Sequence, residues 1–163
     1  MNCRFEYADK NKMEDILPQL FEILYSNMSL KYPTGNTRDD DYRIWCSSFT
    51  HAMKDEKRQL ILMVSNETII GYFQYTIIEN TLKMEDLQTE KEYHGSGLFG
   101  VFYAWLVRQL PHDIQKVEAF TDKRNIKTQG ILEHIGLINC GENKSGKSYH
   151  YKGDYKALLY KYI

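Results

Sequence analysis

Cysteine is scarce in this chain. Cys3, Cys46 and Cys140 are odd in number, far apart, and without metal-ligand spacing. That excludes a disulfide framework or a cysteine metal site and fits a reduced, cytoplasmic setting with inert or buried thiols. Long apolar runs are missing too. None approaches the ~20 residues of a membrane-spanning helix. Met1-Asn2-Cys3-Arg4 leads into charged residues, not into the apolar core of a signal peptide. Net charge is nearly absent, at −1. No global basic field therefore draws nucleic acid or an anionic membrane, although local patches stay open. Repeats and low-complexity tracts are absent as well.

What remains is an ordinary soluble composition. The 163 residues are 42% apolar and 26% charged, enough for one domain, 1–163, with a substantial core. Arg4 to Tyr7 reads as a first strand. Met13, Ile16, Leu20, Ile23, Leu24 and Met28 recur at helical spacing after a plausible cap at Asn11. Pro18 inside that pattern predicts a kink or a helix that starts only near Asp15. Lys31 to Asp41 reads as a loop, and Asp41 to Lys54 as a second helix. Gln59–Val64, Thr68–Ile78 and Leu82–Thr89 then form an antiparallel meander with turns at Ser65-Asn66-Glu67 and Glu79-Asn80. Val101 to Leu110 is an apolar helix and Lys116 to Thr121 a strand. A helix capped by Asn125 ends at Gly136, and Leu137–Gly141 and Tyr155–Tyr162 read as final strands. Glu142 to Asp154 reads as a polar loop, with extra pairing open around Tyr149 to Tyr151. The thirteen tyrosines suit either a groove or aromatic packing.

Two glycine-rich stretches compete for attention. Gly141-Glu142-Asn143-Lys144-Ser145-Gly146-Lys147-Ser148 matches a nucleotide-binding P-loop letter for letter. Such a loop must open a helix and be followed by strands that supply a magnesium-binding acid. Here only a short, tyrosine-rich tail follows, so the match is rejected in favour of a plain connection. Tyr93-His94-Gly95-Ser96-Gly97-Leu98-Phe99-Gly100 has the right context: a strand before it and a helix after it. Its backbone N–H groups and the helix dipole converge on one spot, suited to a phosphate. A tight connection with no ligand is the other reading of the same glycines.

The order of elements, with Leu87-Gln88-Thr89-Glu90-Lys91-Glu92 and the loop that follows, resembles the GNAT superfamily of N-acyltransferases. That family's loop runs Gln/Arg-x-x-Gly-x-Gly/Ala, often after a Tyr. Tyr93 and Gly97 match, whereas His94 and Phe99 depart. Asn125 and Leu132-Glu133-His134-Ile135-Gly136-Leu137 resemble the family's second conserved stretch, with Leu132 where a Tyr is frequent. The resemblance implies an α/β fold with a central mixed, mostly antiparallel sheet of six or seven strands and helices on both faces. It implies acetyl-coenzyme A as cosubstrate, an amine acceptor as partner, and no metal. It leaves a homodimer open.

The resemblance also implies roles. Leu87, Gln88 and Thr89 would meet the pantetheine arm beside a splayed pair of parallel strands. His94, Gly95, Ser96, Gly97, Leu98, Phe99 and Gly100 would hold the pyrophosphate, and Asn125 would contact the cofactor arm or serve only as a helix cap. Glu85 is the candidate general base, with substrate anchor and plain surface acid as alternatives. Strand alternation puts Asp86 on the opposite face, and Glu79 is a weaker candidate. His94 is a cofactor contact or a polar loop residue. The general acid is unassigned, with Tyr155, Tyr160 or water as stand-ins. Tyr32, Asp39, Asp40, Asp41, Tyr42 and Trp45 suit the wall of an acceptor site for a cationic amine. The implied function is N-acetyl transfer to a small-molecule or peptide amine; the alternative is a non-catalytic acyl-coenzyme A module.

Overall fold

The computed structural model describes residues 2–162; Met1, part of the N-terminal reading above, and Ile163 lie outside the described residues. The strands are β1 (Arg4–Tyr7), β2 (Gln59–Ser65), β3 (Thr68–Ile78), β4 (Thr81–Thr89), β5 (Lys116–Asp122), β6 (Ile138–Glu142) and β7 (Ser148–Asp154). The helices are α1 (Leu17–Met28), α2 (Arg38–Met53), α3 (Leu98–Gln109), α4 (Ile126–His134) and α5 (Tyr155–Tyr162). The seven strands form one sheet in the order β1-β2-β3-β4-β5-β7-β6. β1–β2, β5–β7 and β6–β7 pair antiparallel, and β4–β5 pair parallel. Two-residue connections fix β2–β3 and β3–β4 as hairpins. Asn66, Glu67, Glu79 and Asn80 all have positive φ, the backbone that such tight turns need. Among the described residues no helix is long and apolar enough to cross a membrane.

Contacts divide the chain into two compact units, Met1–Gln74 with Asp86–Leu98, and Tyr75–Glu85 with Phe99–Ile163. The first is built on β2, whose central residues are buried on both faces, which explains its unbroken apolar run. Leu60, Leu62 and Val64 pack with Leu17, Leu20 and Ile23 of α1, Phe49 and Met53 of α2, and Tyr72 of β3. Pro18 sits in the first turn of α1, where its missing N–H costs nothing. A 3-10 turn, Lys10–Asp15, precedes it, and its cap is Asp9 rather than Asn11: Asp9 Oδ1 accepts from Asn11 N at 2.9 Å.

α2 starts three residues before the sequence places it. Thr37 accepts from the Asp40 N–H at 3.2 Å, and the three aspartates stand in the first turn, where the helix dipole favours them. α3 likewise starts at Leu98, so Phe99 and Gly100 belong to its first turn and not to the loop. It buries Leu98, Phe102 and Leu106 at helical spacing, and Leu110, just past its end, is buried too.

The second unit corrects the reading of the C-terminal end. Tyr155–Tyr162 is a helix: Tyr155 and Leu158 are buried three apart, and Tyr162 meets the Tyr103 ring at 5.3 Å. The strand is the stretch read as a loop. β7 pairs residue for residue with β5, from Lys116↔Asp154 to Asp122↔Ser148. Its contacts are polar and aromatic, so it shows no apolar alternation. His150 stacks on Phe120 at 4.1 Å and its Nε2 lies 3.1 Å from Glu118. A Cβ on Gly153 would stand 3.2 Å from the Gly136 carbonyl oxygen. The three thiols are free; Cys3 and Cys46 are half-buried, and Cys140 is exposed, so of the two alternatives, inert or buried, burial does not apply to Cys140.

Candidate active site

β4 pairs with β5 from Thr81↔Lys116 to Met84↔Ala119. Residues 85–89 run on past the last of these pairs. In the first unit this end of β4 is held unusually closely by β3. A Cβ built on Gly71 would stand 2.8 Å from the Gln88 carbonyl oxygen and 3.0 Å from both Thr89 Cγ2 and Met63 Sδ. Only glycine permits that approach.

A directed chain of hydrogen bonds fixes the side chains here. Tyr72 OH donates to Asp86 Oδ2 at 3.1 Å, and Gln88 Nε2 donates to Asp86 Oδ1 at 2.9 Å. Asn27 Nδ2 donates to Gln88 Oε1 at 3.0 Å and to the Thr89 carbonyl at 2.9 Å. A carboxylate only accepts, so Asp86 turns the Gln88 amide nitrogen toward itself. That leaves Gln88 Oε1 for Asn27, and Asn27 must meet two acceptors with its NH2. Its own Oδ1 is left buried without a partner, as is Thr89 Oγ1. Burial, then the Asp86 charge, pushes the Tyr72 phenol well above its ordinary pKa, so it stays a donor.

The turn after β4 is tied back to it. Glu90 N donates to Ile70 O at 2.8 Å, and His94 Nε2 lies 3.2 Å from the Thr89 carbonyl, so this ring nitrogen carries the proton in that bond. A 3-10 turn, Lys91–Tyr93, follows. Gly95 and Gly97 have φ of +75° and +86°, and a Cβ on either would meet nothing within 4 Å. They are needed for the left-handed backbone, not for space, and at their own two positions they add no side chain. Ser96 braces it, donating to Tyr93 O at 2.6 Å and accepting from Leu98 N at 3.4 Å. The free N–H groups of the first turn of α3, including Phe99 and Gly100, come next. Burial, and then a hydrogen bond with Glu92, raises the Glu90 carboxyl above its usual range.

The remaining sequence candidates stand as follows. Glu85 is exposed and accepts from Thr76 Oγ1 at 3.3 Å. Leu87 is half-buried, and Gln88 and Thr89 are buried. Asn125 caps α4, its Oδ1 accepting from Thr128 N at 3.1 Å. Leu132 is buried, Tyr155 is buried with its phenol pushed up by desolvation, and Tyr160 is 75% exposed. Of the three aspartates, Asp40 pairs with Arg43, and Asp41 takes the Thr34 hydroxyl at 2.8 and 2.9 Å. Asp41 also lines a groove between α1 and α2 with Tyr25, Tyr32 and Trp45. The P-loop-like stretch is a hairpin tip: Asn143 N donates to Ser148 O at 2.8 Å, and a strand follows it, not a helix. Among the described residues no cluster of side chains is set to hold a metal ion. Sequence reasoning missed Gly71 and Asn27. The signals were there: a glycine inside a β-branched strand, and an amide among the apolar positions of α1.

No family model matches the chain, and no curated protein matches its sequence. Solved structures do. An acetyltransferase from Thermus thermophilus aligns with a TM-score of 0.74 at 14% identity, over 94% of this chain and 97% of that one. The PaiA N-acetyltransferase of Thermoplasma acidophilum, in complex with coenzyme A, gives 0.71 at 13%, over 95% and 100%. A variant of the SpeG spermidine N-acetyltransferase of Vibrio cholerae gives 0.63 at 10%, over 97% and 96%. The chain has the GNAT fold.

Proposed function

We propose that this chain is an N-acetyltransferase, moving an acetyl group from acetyl-coenzyme A to a primary amine of a small molecule or peptide. The observation that carries the reading is the clamped end of β4 running into a two-glycine turn at the N-terminus of α3. Leu87, Gln88 and Thr89 would line the pantetheine arm. A backbone N–H there would steady the oxygen that becomes anionic as the amine attacks. The N–H groups from His94 to Gly100 would hold the pyrophosphate. The chain suits this load in two respects: Gly95 and Gly97 add no side chain to the turn, and two buried polar atoms, Asn27 Oδ1 and Thr89 Oγ1, lack partners.

The amine attacks unprotonated. Its nitrogen bonds to the acetyl carbon, the C–S bond breaks, and the thiolate leaves to take a proton from water. The amine's proton passes to Glu85, whose exposure lets it hand the proton on to solvent. Acetyl-coenzyme A is expected to raise the melting temperature of the wild type, and Gly97→Val to abolish that rise. The absence of any rise in the wild type overturns the proposal. Glu85→Gln is expected to lower kcat by at least about tenfold with KM for acetyl-coenzyme A unchanged. A non-catalytic acyl-coenzyme A module is the second reading, favoured by the buried Leu132 where the resembled family often has a Tyr. It predicts the same heat shift without thiol release for any amine.

A further inference from the structure

The groove between α1 and α2 differs from its surroundings in chemistry. It offers about 630 Å³, within the range of small-molecule sites. Its walls include Phe21, Tyr25, Met28, Tyr32, Ile44 and Trp45, and the single charged residue among its lining residues is Asp41. That carboxylate already accepts from Thr34 Oγ1 and, at 3.4 Å, from Asn36 Nδ2. Two neighbouring charges are engaged elsewhere, since Arg38 pairs with Glu22 and lies over the Phe21 and Tyr25 rings and Asp40 pairs with Arg43, while Asp39 is exposed and is not among the lining residues. A polycation would find one partly satisfied carboxylate and a wall of rings. An apolar body would find area to bury.

Helix spacing connects this groove to the end of β4. Leu24 and Met28 line the groove, whereas Asn27, which holds the Thr89 carbonyl, stands at helical spacing with the core residues Leu20 and Ile23; Leu24, three residues before it, is the groove residue that neighbours it. The groove and the β4 end thus flank neighbouring faces of α1, and an amine nitrogen placed at the β4 end has the groove as the nearest apolar surface for its body, past Leu24. We propose that the acceptor is an amine bearing a bulky apolar or aromatic body, seated between α1 and α2, and not a polyamine or an aminoglycoside. This rests on the N-acetyltransferase reading.

The test is a thiol-release assay with acetyl-coenzyme A and four probes: 2-phenylethylamine, tryptamine, spermidine and kanamycin. The aryl amines are expected to exceed the two polycations in kcat/KM by at least about tenfold. Ile44 is 61% exposed, so Ile44→Asp leaves the core intact; it is expected to raise KM for tryptamine by about tenfold with KM for acetyl-coenzyme A unchanged. A preference for spermidine or kanamycin overturns the proposal, as does an Ile44→Asp enzyme with the wild-type KM for tryptamine. So does a dimer that Ile44→Asp dissociates with no effect on that KM, since the groove then belongs to a second copy. If coenzyme A raises the melting temperature but no probe is acetylated, tryptamine must raise it further in the wild type and not in Ile44→Asp; otherwise the proposal falls. Failure of coenzyme A itself to bind is a different result and overturns the N-acetyltransferase reading.

Discussion

One methyl group at Gly71 is enough to disturb the end of β4. Its nearest neighbour is a backbone carbonyl oxygen at 2.8 Å, which has no flexible side chain to move aside. Gly71→Ala is expected to cost about 1–3 kcal/mol in chemical denaturation and to weaken coenzyme A binding. Gly100→Ala is expected to be close to neutral for stability, because a Cβ there meets nothing within 4 Å. Asn27 is the other residue whose effect is out of proportion to its size. Asn27→Asp places a carboxylate against two acceptors, Gln88 Oε1 and the Thr89 carbonyl. Its loss of stability at neutral pH is expected to exceed that of Asn27→Ala, and lowering the pH is expected to narrow the gap as the new carboxyl protonates. The glycine loop was legible as a strand-to-helix turn because its glycines fall between a strand and a helix. Gly71 and Asn27 were not, because their importance lies in which strand or helix they face, and spacing along the chain does not reveal that.

Elements were legible where a single periodicity ruled. β3 has the bounds its β-branched and aromatic run implies, and Pro18 correctly delayed α1. They were misread where polar contacts replaced burial. β7 is held by cross-strand pairs, among them the Lys83–Glu118–His150 set at 3.2 and 3.1 Å, and polar pairs leave no apolar alternation. α5 was taken for a strand because its aromatic residues suit either form. The Glu118 set makes a pH prediction. Desolvation pushes its carboxyl up, but the bonds from Lys83 and His150 outweigh this and hold it below its usual range. A lowered folded pKa stabilises the fold above the unfolded value of about 4.3, and that contribution is lost as pH falls through the folded value. Glu118→Gln is therefore expected to be less stable than wild type at pH 7. The difference is expected to shrink below pH 4, as followed by thermal melts across pH.

At the scale of the whole molecule, order of elements carried more than any motif. Solved structures of the same fold share only 10–16% of residues with this chain, yet align over nearly all of it. The stretch with the better letter match to a phosphate-binding motif, 141–148, is a hairpin tip leading into β7. The poorer match, 93–100, leads into α3. Hydrogen exchange with and without coenzyme A separates the two directly. The account predicts slowed exchange at the amides of residues 95–100 and at Gln88 and Thr89, with none at 143–147. Protection of the hairpin tip instead, or no protection in either place at saturating coenzyme A, contradicts it.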